Sequence, residues 1–237
     1  MQKLLFSLFL IFIFHPSIAQ VEKNTRSSLY LIYGNSGSNV REFNEMLEKK
    51  GLSSLRQGYS TFGVGYMSRY NDFIFGLELF QNNGHFSKFS NYKIDHRTTR
   101  AMVNVGYSFT EEGRFQLLHY MSLGMGFLNF QMLNNEEKVL SDFVKNPASG
   151  FILREGNLHK GSQYLSGFLT EIGFQLTYDF EIPGREEMLQ LVGKFGYSFS
   201  PFESSWKLNG VSFKNLQSGP FLRVGAGISL PDHNFFY

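Results

Sequence analysis

Six histidines, His15, His85, His96, His119, His159 and His233, are the side chains of this sequence that ordinarily change charge near neutral pH. None belongs to an HExxH pattern or to an i, i+4 pair with a carboxylate between, so the spacing of a helical zinc site is missing. His119 has Ser122 three residues on, and a His with a Ser is part of the apparatus for acyl hydrolysis. In a strand, however, residues three apart point to opposite faces, so these two side chains cannot cooperate there. The doublets Gly63-Val64-Gly65, Gly124-Met125-Gly126 and Gly225-Ala226-Gly227 resemble the start of a dinucleotide fingerprint, yet each lacks the third glycine and none opens a helix. There is no P-loop, nucleophile elbow or EF-hand loop. With no cysteine, disulfides, thiolate metal sites and a catalytic thiol are excluded. These observations predict no catalytic, cofactor-binding or metal-binding residues, and hence no enzyme.

The elements that carry these residues are strands. Period-two alternation runs through eight segments, roughly Ser28–Gly34, Gly58–Arg69, Asp72–Asn82, Arg97–Phe109, Arg114–Phe130, Gln163–Phe180, Met188–Pro201 and Gly219–Leu230. Most reach the roughly 9–11 residues that a tilted strand needs to cross a bilayer, whereas about 5–6 is usual in soluble domains. In the sixth segment Phe168, Thr170, Ile172, Phe174, Leu176, Tyr178 and Phe180 alternate with Gly167, Leu169, Glu171, Gly173, Gln175, Thr177 and Asp179. A soluble barrel shows water a face rich in Lys, Glu and Thr. Here the second face is Gly, Ser and Asn with a rare charge, which suits a narrow, crowded interior. The reading is therefore an all-β chain: an eight-stranded antiparallel up-and-down transmembrane β-barrel whose large side chains face lipid.

Connections support it. They run over 35–57, 70–71, 83–96, 110–113, 131–162, 181–187 and 202–218, alternating long and short, as expected for long extracellular loops and short periplasmic turns. Tyr70, Tyr107, Phe109, Tyr178 and Phe180 fall where an interfacial aromatic girdle belongs. The inward faces place Glu78, Arg100, Glu171, Lys194 and Arg223 in the lumen, and unpaired charge there is costly. The expected pairs are Glu78 with Arg100, and Glu171 with Lys194 or Arg223. A plug of ion pairs is favoured over a channel, because eight strands leave room only for side chains.

Loops on a rigid scaffold commonly carry binding residues. In the first, Asn39 can cap a helix with Glu42 at its third position, Val40, Phe43 and Leu47 form a stripe, and Gly51 stops it. That helix is either a partner-docking element or a lid on the barrel mouth. The loop over 131–162 is the longest and most polar, and 202–218 contains the single Trp206. Phe43, Leu47 and Trp206 are thus the candidate loop contacts to an unknown extracellular ligand.

The first residues read as an address. Lys3, an apolar run over Leu4–Phe14, Pro16, and small Ser17 and Ala19 form a signal peptide, 1–19, with the barrel domain over 20–237. The apolar run is too short to span hydrocarbon. A balance of 22 Lys+Arg against 20 Asp+Glu argues against a nucleic-acid partner.

Signal segment, two-faced strands and alternating loops together resemble the small outer-membrane barrels of the OmpA-transmembrane and OmpX type. The Phe-, Tyr- and Gly-rich style with Ala19-Gln20 looks most like the "outer membrane protein beta-barrel domain" family of Bacteroidota. The resemblance implies a Gram-negative outer-membrane location, contact with outer-membrane lipid and lipopolysaccharide, and insertion by the barrel assembly machinery, which reads a terminal strand ending in an aromatic. This chain departs from that pattern, since Pro231 and Asp232 precede Asn234–Tyr237. The expected function is a non-enzymatic outer-membrane barrel with a sealed lumen, its loops a binding or protective surface. The alternatives are a lipid A or phospholipid hydrolase, like the lipid A deacylases with their His and Ser, and a small solute pore.

Overall fold

The structure, a computed structural model, describes residues 25–49, 54–55, 57–84, 87–89, 92–110, 113–134, 163–202, 206–208 and 211–231. The signal segment, Gly51, the aromatic tail after Pro231 and most of the 131–162 loop lie outside the described residues.

Eight long strands form one antiparallel sheet closed on itself. In chain order they are β1 (Thr25–Ser36), β2 (Tyr59–Tyr70), β3 (Phe73–Gly84), β5 (Tyr92–Ser108), β6 (Phe115–Asn134), β7 (Gln163–Glu181), β8 (Met188–Phe199) and β11 (Gly219–Pro231). Each pairs with its neighbour in sequence, and β1 pairs with β11 from Arg26↔Pro231 to Ser36↔Phe221. That last pairing leaves no open edge among the eight, so backbone N–H and C=O groups are satisfied without water. Shorter elements sit at the long-loop end: helix α1 (Arg41–Lys49), β4 (Ser87–Phe89), the β9 (Lys207–Leu208) and β10 (Val211–Ser212) hairpin, and a 3-10 turn over Lys214–Gln217.

Every barrel strand expected from alternation is present, and several run further than expected, among them β1, which spans Thr25–Ser36 rather than Ser28–Gly34. β5 begins at Tyr92 rather than Arg97, and its pairing with β6 extends to Tyr92↔Asn134. Residues 92–97 alternate only briefly, Tyr92 and Ile94 with Lys93 and Asp95, and end on His96 and Arg97, so a short polar stretch hides a ladder that continues beyond the zone that selects apolar side chains. The tightest turn joins Tyr70 to Phe73 through Asn71 and Asp72. Asn71 there has φ 52°, a left-handed conformation that asparagine tolerates better than most residues.

The two faces are segregated as the alternation predicts. Leu29, Phe62, Phe75, Leu77, Val103, Phe168, Leu222 and Val224 are all at least half exposed although large and apolar. An apolar belt of this extent on the outside is the reverse of a soluble protein and matches a hydrocarbon surround. At the turn end Phe73, Tyr107 and Phe109 form edge-on ring contacts at 5.5 and 6.0 Å, and Tyr178 meets Phe180 at 4.6 Å. This is the aromatic girdle.

Inside, the lumen is filled. Its floor differs from the expected lining of glycine and ion pairs, because Tyr30, Ile32, Met67, Ile74, Leu118 and Val192 form a buried apolar cluster. A plug with no water to contact can be made of hydrocarbon as readily as of charge.

Candidate functional site

Above that floor lies the charge network. Glu171 on β7 receives both arms of Arg223 from β11, Nη1 to Oε2 at 2.8 Å and Nη2 to Oε1 at 2.7 Å. It also receives Nη1 of Arg100 from β5 at 3.1 Å. The planar fork of arginine suits such two-point binding of a carboxylate. Arg223 is sandwiched between the rings of Phe80 and Phe221, at 4.1 and 4.2 Å from their centroids, which fixes its plane and adds cation–π attraction. A second pair joins Lys194 on β8 to Glu78 on β3. Glu78 also accepts the Tyr30 hydroxyl at 2.7 Å, and Lys194 lies 4.4 Å from the Tyr120 ring centroid.

All five charged residues therefore meet in the lumen, and Glu171 pairs with Arg223, one of its two expected partners, but the other expected pair does not form. Glu78 binds Lys194 rather than Arg100, and Arg100 binds Glu171. The register explains the exchange: Glu78 lies opposite Met102, while Arg100 lies opposite Phe80. In so narrow a barrel a long side chain reaches past its neighbours to strands two or more away. Glycine permits the crowding. A Cβ at Gly65 would collide with the Tyr30 ring that hydrogen-bonds Glu78.

The mouth is closed by a lid. Trp206 is completely buried, its indole N–H donating to Ser200 Oγ at 2.7 Å. It sits against Gly126, where a Cβ would approach the indole to 3.2 Å and Leu169 to 2.5 Å. The 3-10 turn below it is tied to the charge network: Arg100 Nη2 donates to the Gln217 carbonyl at 3.3 Å, and Gln217 Nε2 donates to Thr98 Oγ1 at 3.2 Å. Tyr59 donates from its hydroxyl to the Leu216 carbonyl at 3.0 Å.

Helix α1 covers this assembly. The Arg41 N–H donates to Asn39 Oδ1 at 3.4 Å, a long cap, while the Asn39 N–H donates to the carbonyls of Asn215 and Ser218, both at 3.1 Å. Phe43 packs on Phe213 with ring centroids 5.2 Å apart, and Asn215 Nδ2 donates to Glu42 Oε2 at 2.8 Å. Asn44 clamps the backbone of Leu55, accepting its N–H at 2.7 Å and donating to its carbonyl at 2.9 Å. The helix is a lid rather than a free docking element.

Two of the candidate loop contacts are corrected by this arrangement. Phe43 and Trp206 point inward and are buried, so neither is offered to a partner, because the loops use their large apolar residues to seal the mouth. The Leu47 side chain lies outside the described residues. His119 and Ser122 point to opposite faces: His119 is exposed beside the Phe174 ring at 5.3 Å, while Ser122 is buried and donates to Asn104 Oδ1 at 2.5 Å. Among the described residues no group of three His, Asp or Glu side chains is placed to hold a metal. At the turn end Arg26 and Gln190 both bind Asp179, at 3.1 and 2.9 Å. The exposed Arg114 donates to Glu181 at 2.6 Å, and this bond, with the carboxylate charge, raises the guanidinium pKa above its ordinary value.

It has the fold of an outer-membrane β-barrel. The chain is similar to the attachment invasion locus protein Ail of Yersinia pestis, with 14% identity, TM-score 0.48, and 87% of this chain and 99% of that one covered. Neisserial surface protein A matches with 10% identity and TM-score 0.47 over 88% and 97% of the two chains. A major outer membrane protein of Thermus thermophilus matches with 11% identity and TM-score 0.46 over 88% and 99%. No protein-family model matches the chain, and no curated protein matches it.

Proposed function

We propose that this protein is a non-enzymatic integral outer-membrane barrel whose lumen is sealed and whose loops form an extracellular binding or protective surface. The carrying observation is the double closure of the lumen: the Glu171, Arg223 and Arg100 triad fills its middle, and Trp206 with the 3-10 turn covers its mouth. His119 and Ser122 face opposite sides of β6, which speaks against their joint use in hydrolysis. The signal segment accounts for export, the long-loop end faces outward, and the terminal strand is handed to the barrel assembly machinery. The aromatic, glycine-rich style fits a barrel-domain family of Bacteroidota.

Planar-bilayer recording tests the seal. A silent trace from protein whose gel mobility shifts on boiling supports the reading, and stepwise conductance removes it. Lipid A analysed by mass spectrometry from cells with and without the protein tests the enzymatic alternative. The acyl pattern is expected to be unchanged, and a change abolished by His119→Ala reverses the assignment.

A further inference from the structure

The apolar floor of the lumen has polar residues on both of its sides. On the turn side, one inward step beyond Met67, Leu118 and Val192, stand Arg69 on β2, Gln116 on β6 and Gln190 on β8, joined by Arg26 on β1 and by Thr177 and Asp179 on β7. All but Arg26 are more than nine-tenths buried. Among the described residues this layer holds two guanidinium groups and one carboxylate, an excess of one positive charge. The floor separates it from Glu78 and Glu171 above.

The single carboxylate is fully engaged. Asp179 Oδ2 accepts Arg26 Nη1 at 3.1 Å, and its Oδ1 accepts Gln190 Nε2 at 2.9 Å. Arg69 is left without an anion. Its Nε donates to the Asn71 carbonyl at 2.6 Å, which holds the guanidinium by one edge, while its Nη2 is buried with no hydrogen-bond partner. The register sets Arg69 directly opposite Arg26, and like charges so placed destabilise a strand pair. A buried cation with an unmade hydrogen bond is costly as well. Thr177 Oγ1 and Gln190 Oε1, in the same layer, are also buried and unpartnered.

We infer that this layer is a binding site for one carboxylate, taken up at the turn-end mouth and held by Arg69 with Thr177 as a second donor. One excess positive charge is matched by a single negative one, and the arginine fork suits the paired oxygens of a carboxylate. Arg26 stays with Asp179, and its side chain, 40% exposed, marks the way in. Gln190 Oε1 is an acceptor that a carboxylate cannot satisfy but an adjacent N–H can. An acid with an amide beside it, as at the end of a peptide, therefore uses the layer more fully than a bare acid does. The site is additional to the loop surface proposed above, and only the side to which it opens, the periplasm, rests on that reading.

Urea unfolding of the refolded protein in lipid vesicles tests it, in sodium chloride and, at equal ionic strength, in sodium acetate, in sodium N-acetylglycinate, or in chloride with the neutral N-acetylglycinamide. Both acids are expected to raise the midpoint saturably, and the amide to leave it unchanged. N-acetylglycinate should act at about fivefold lower concentration than acetate, the worth of one net hydrogen bond. Equal potency of the two acids keeps the carboxylate and removes the peptide end as its source. Arg69→Met is expected to abolish both shifts and, by removing an unmatched charge, not to lower the midpoint in chloride. Equal wild-type midpoints in chloride and in both acids overturn the site. So does an Arg69→Met midpoint well below the wild type in chloride, which would mean that Arg69 is already paired within the chain. Asp232 follows β11 in the sequence, and shifts found in Asp232→Asn but not in the wild type would overturn an external ligand in favour of the chain's own carboxylate. A wild-type sample without heat-modifiable gel mobility refutes the outer-membrane reading, and the site with it, because the layer exists only in the closed barrel.

Discussion

Glu171 holds two guanidinium groups where there is no solvent to replace it. Removing one partner of such a buried cluster leaves unpaired charge behind, which typically costs about 3–5 kcal/mol. Glu171→Gln is therefore expected to lower stability by that order, seen as a fall in the urea midpoint of the barrel in lipid vesicles. Arg223→Met removes its own charge, and Arg100 and Lys194 remain to balance the two carboxylates, so a smaller loss is expected in the same measurement. Gly65→Val tests the crowding, because its side chain must displace the Tyr30 ring. We expect failure to refold to the heat-modifiable form. At this scale the sequence disclosed which charges point inward, since alternation decides the face of each strand. It did not disclose their partners. Alternation is local, whereas the meeting of Arg100 with Glu171 depends on the stagger accumulated from β5 to β7, and no local pattern encodes that.

Among the elements, the strands and helix α1 were legible, and the part of the lid over 206–218 was not. Strands such as β8, with Leu189, Leu191, Phe195 and Tyr197 against Gln190, Lys194 and Ser198, declare two environments residue by residue. The segment over 206–218 has no period, so nothing local indicates that Trp206 turns into the mouth rather than toward a partner. A feature that did bear on it was Gly126, an interior glycine whose missing side chain makes room for the indole. Trp206→Ala leaves a large cavity and loses the bond to Ser200, a change that costs about 3–5 kcal/mol in a packed interior. The lid is a local structure outside the sheet, so the loss should appear as faster hydrogen exchange over 206–218 and α1, with protection of the barrel strands unchanged. Equal loosening of the strands would show instead that the lid is part of the barrel's cooperative unit. At the other end, Asn71 occupies left-handed backbone. Asn71→Gly is expected to be neutral and Asn71→Val to destabilise by about 1–2 kcal/mol, again by urea midpoint.

For the molecule as a whole, rigidity resides in the closed sheet and variety in the loops. Replacing residues 135–162 with a short turn is expected to leave boiling-sensitive mobility intact, since β6 and β7 pair from Phe115↔Tyr178 to Phe130↔Gln163 without that segment. Loss of the mobility shift would mean that the loop is needed to build the barrel. The pairing of β1 with β11 joins the earliest and the latest of the described strands. Until the final strand emerges, the growing sheet has two raw edges that hydrocarbon cannot tolerate and that invite other chains to add on. Assembly is thus obliged to wait for β11: a truncated, released protein lacking Gly219–Pro231 should remain chaperone-bound and protease-sensitive, however many of its preceding strands are complete.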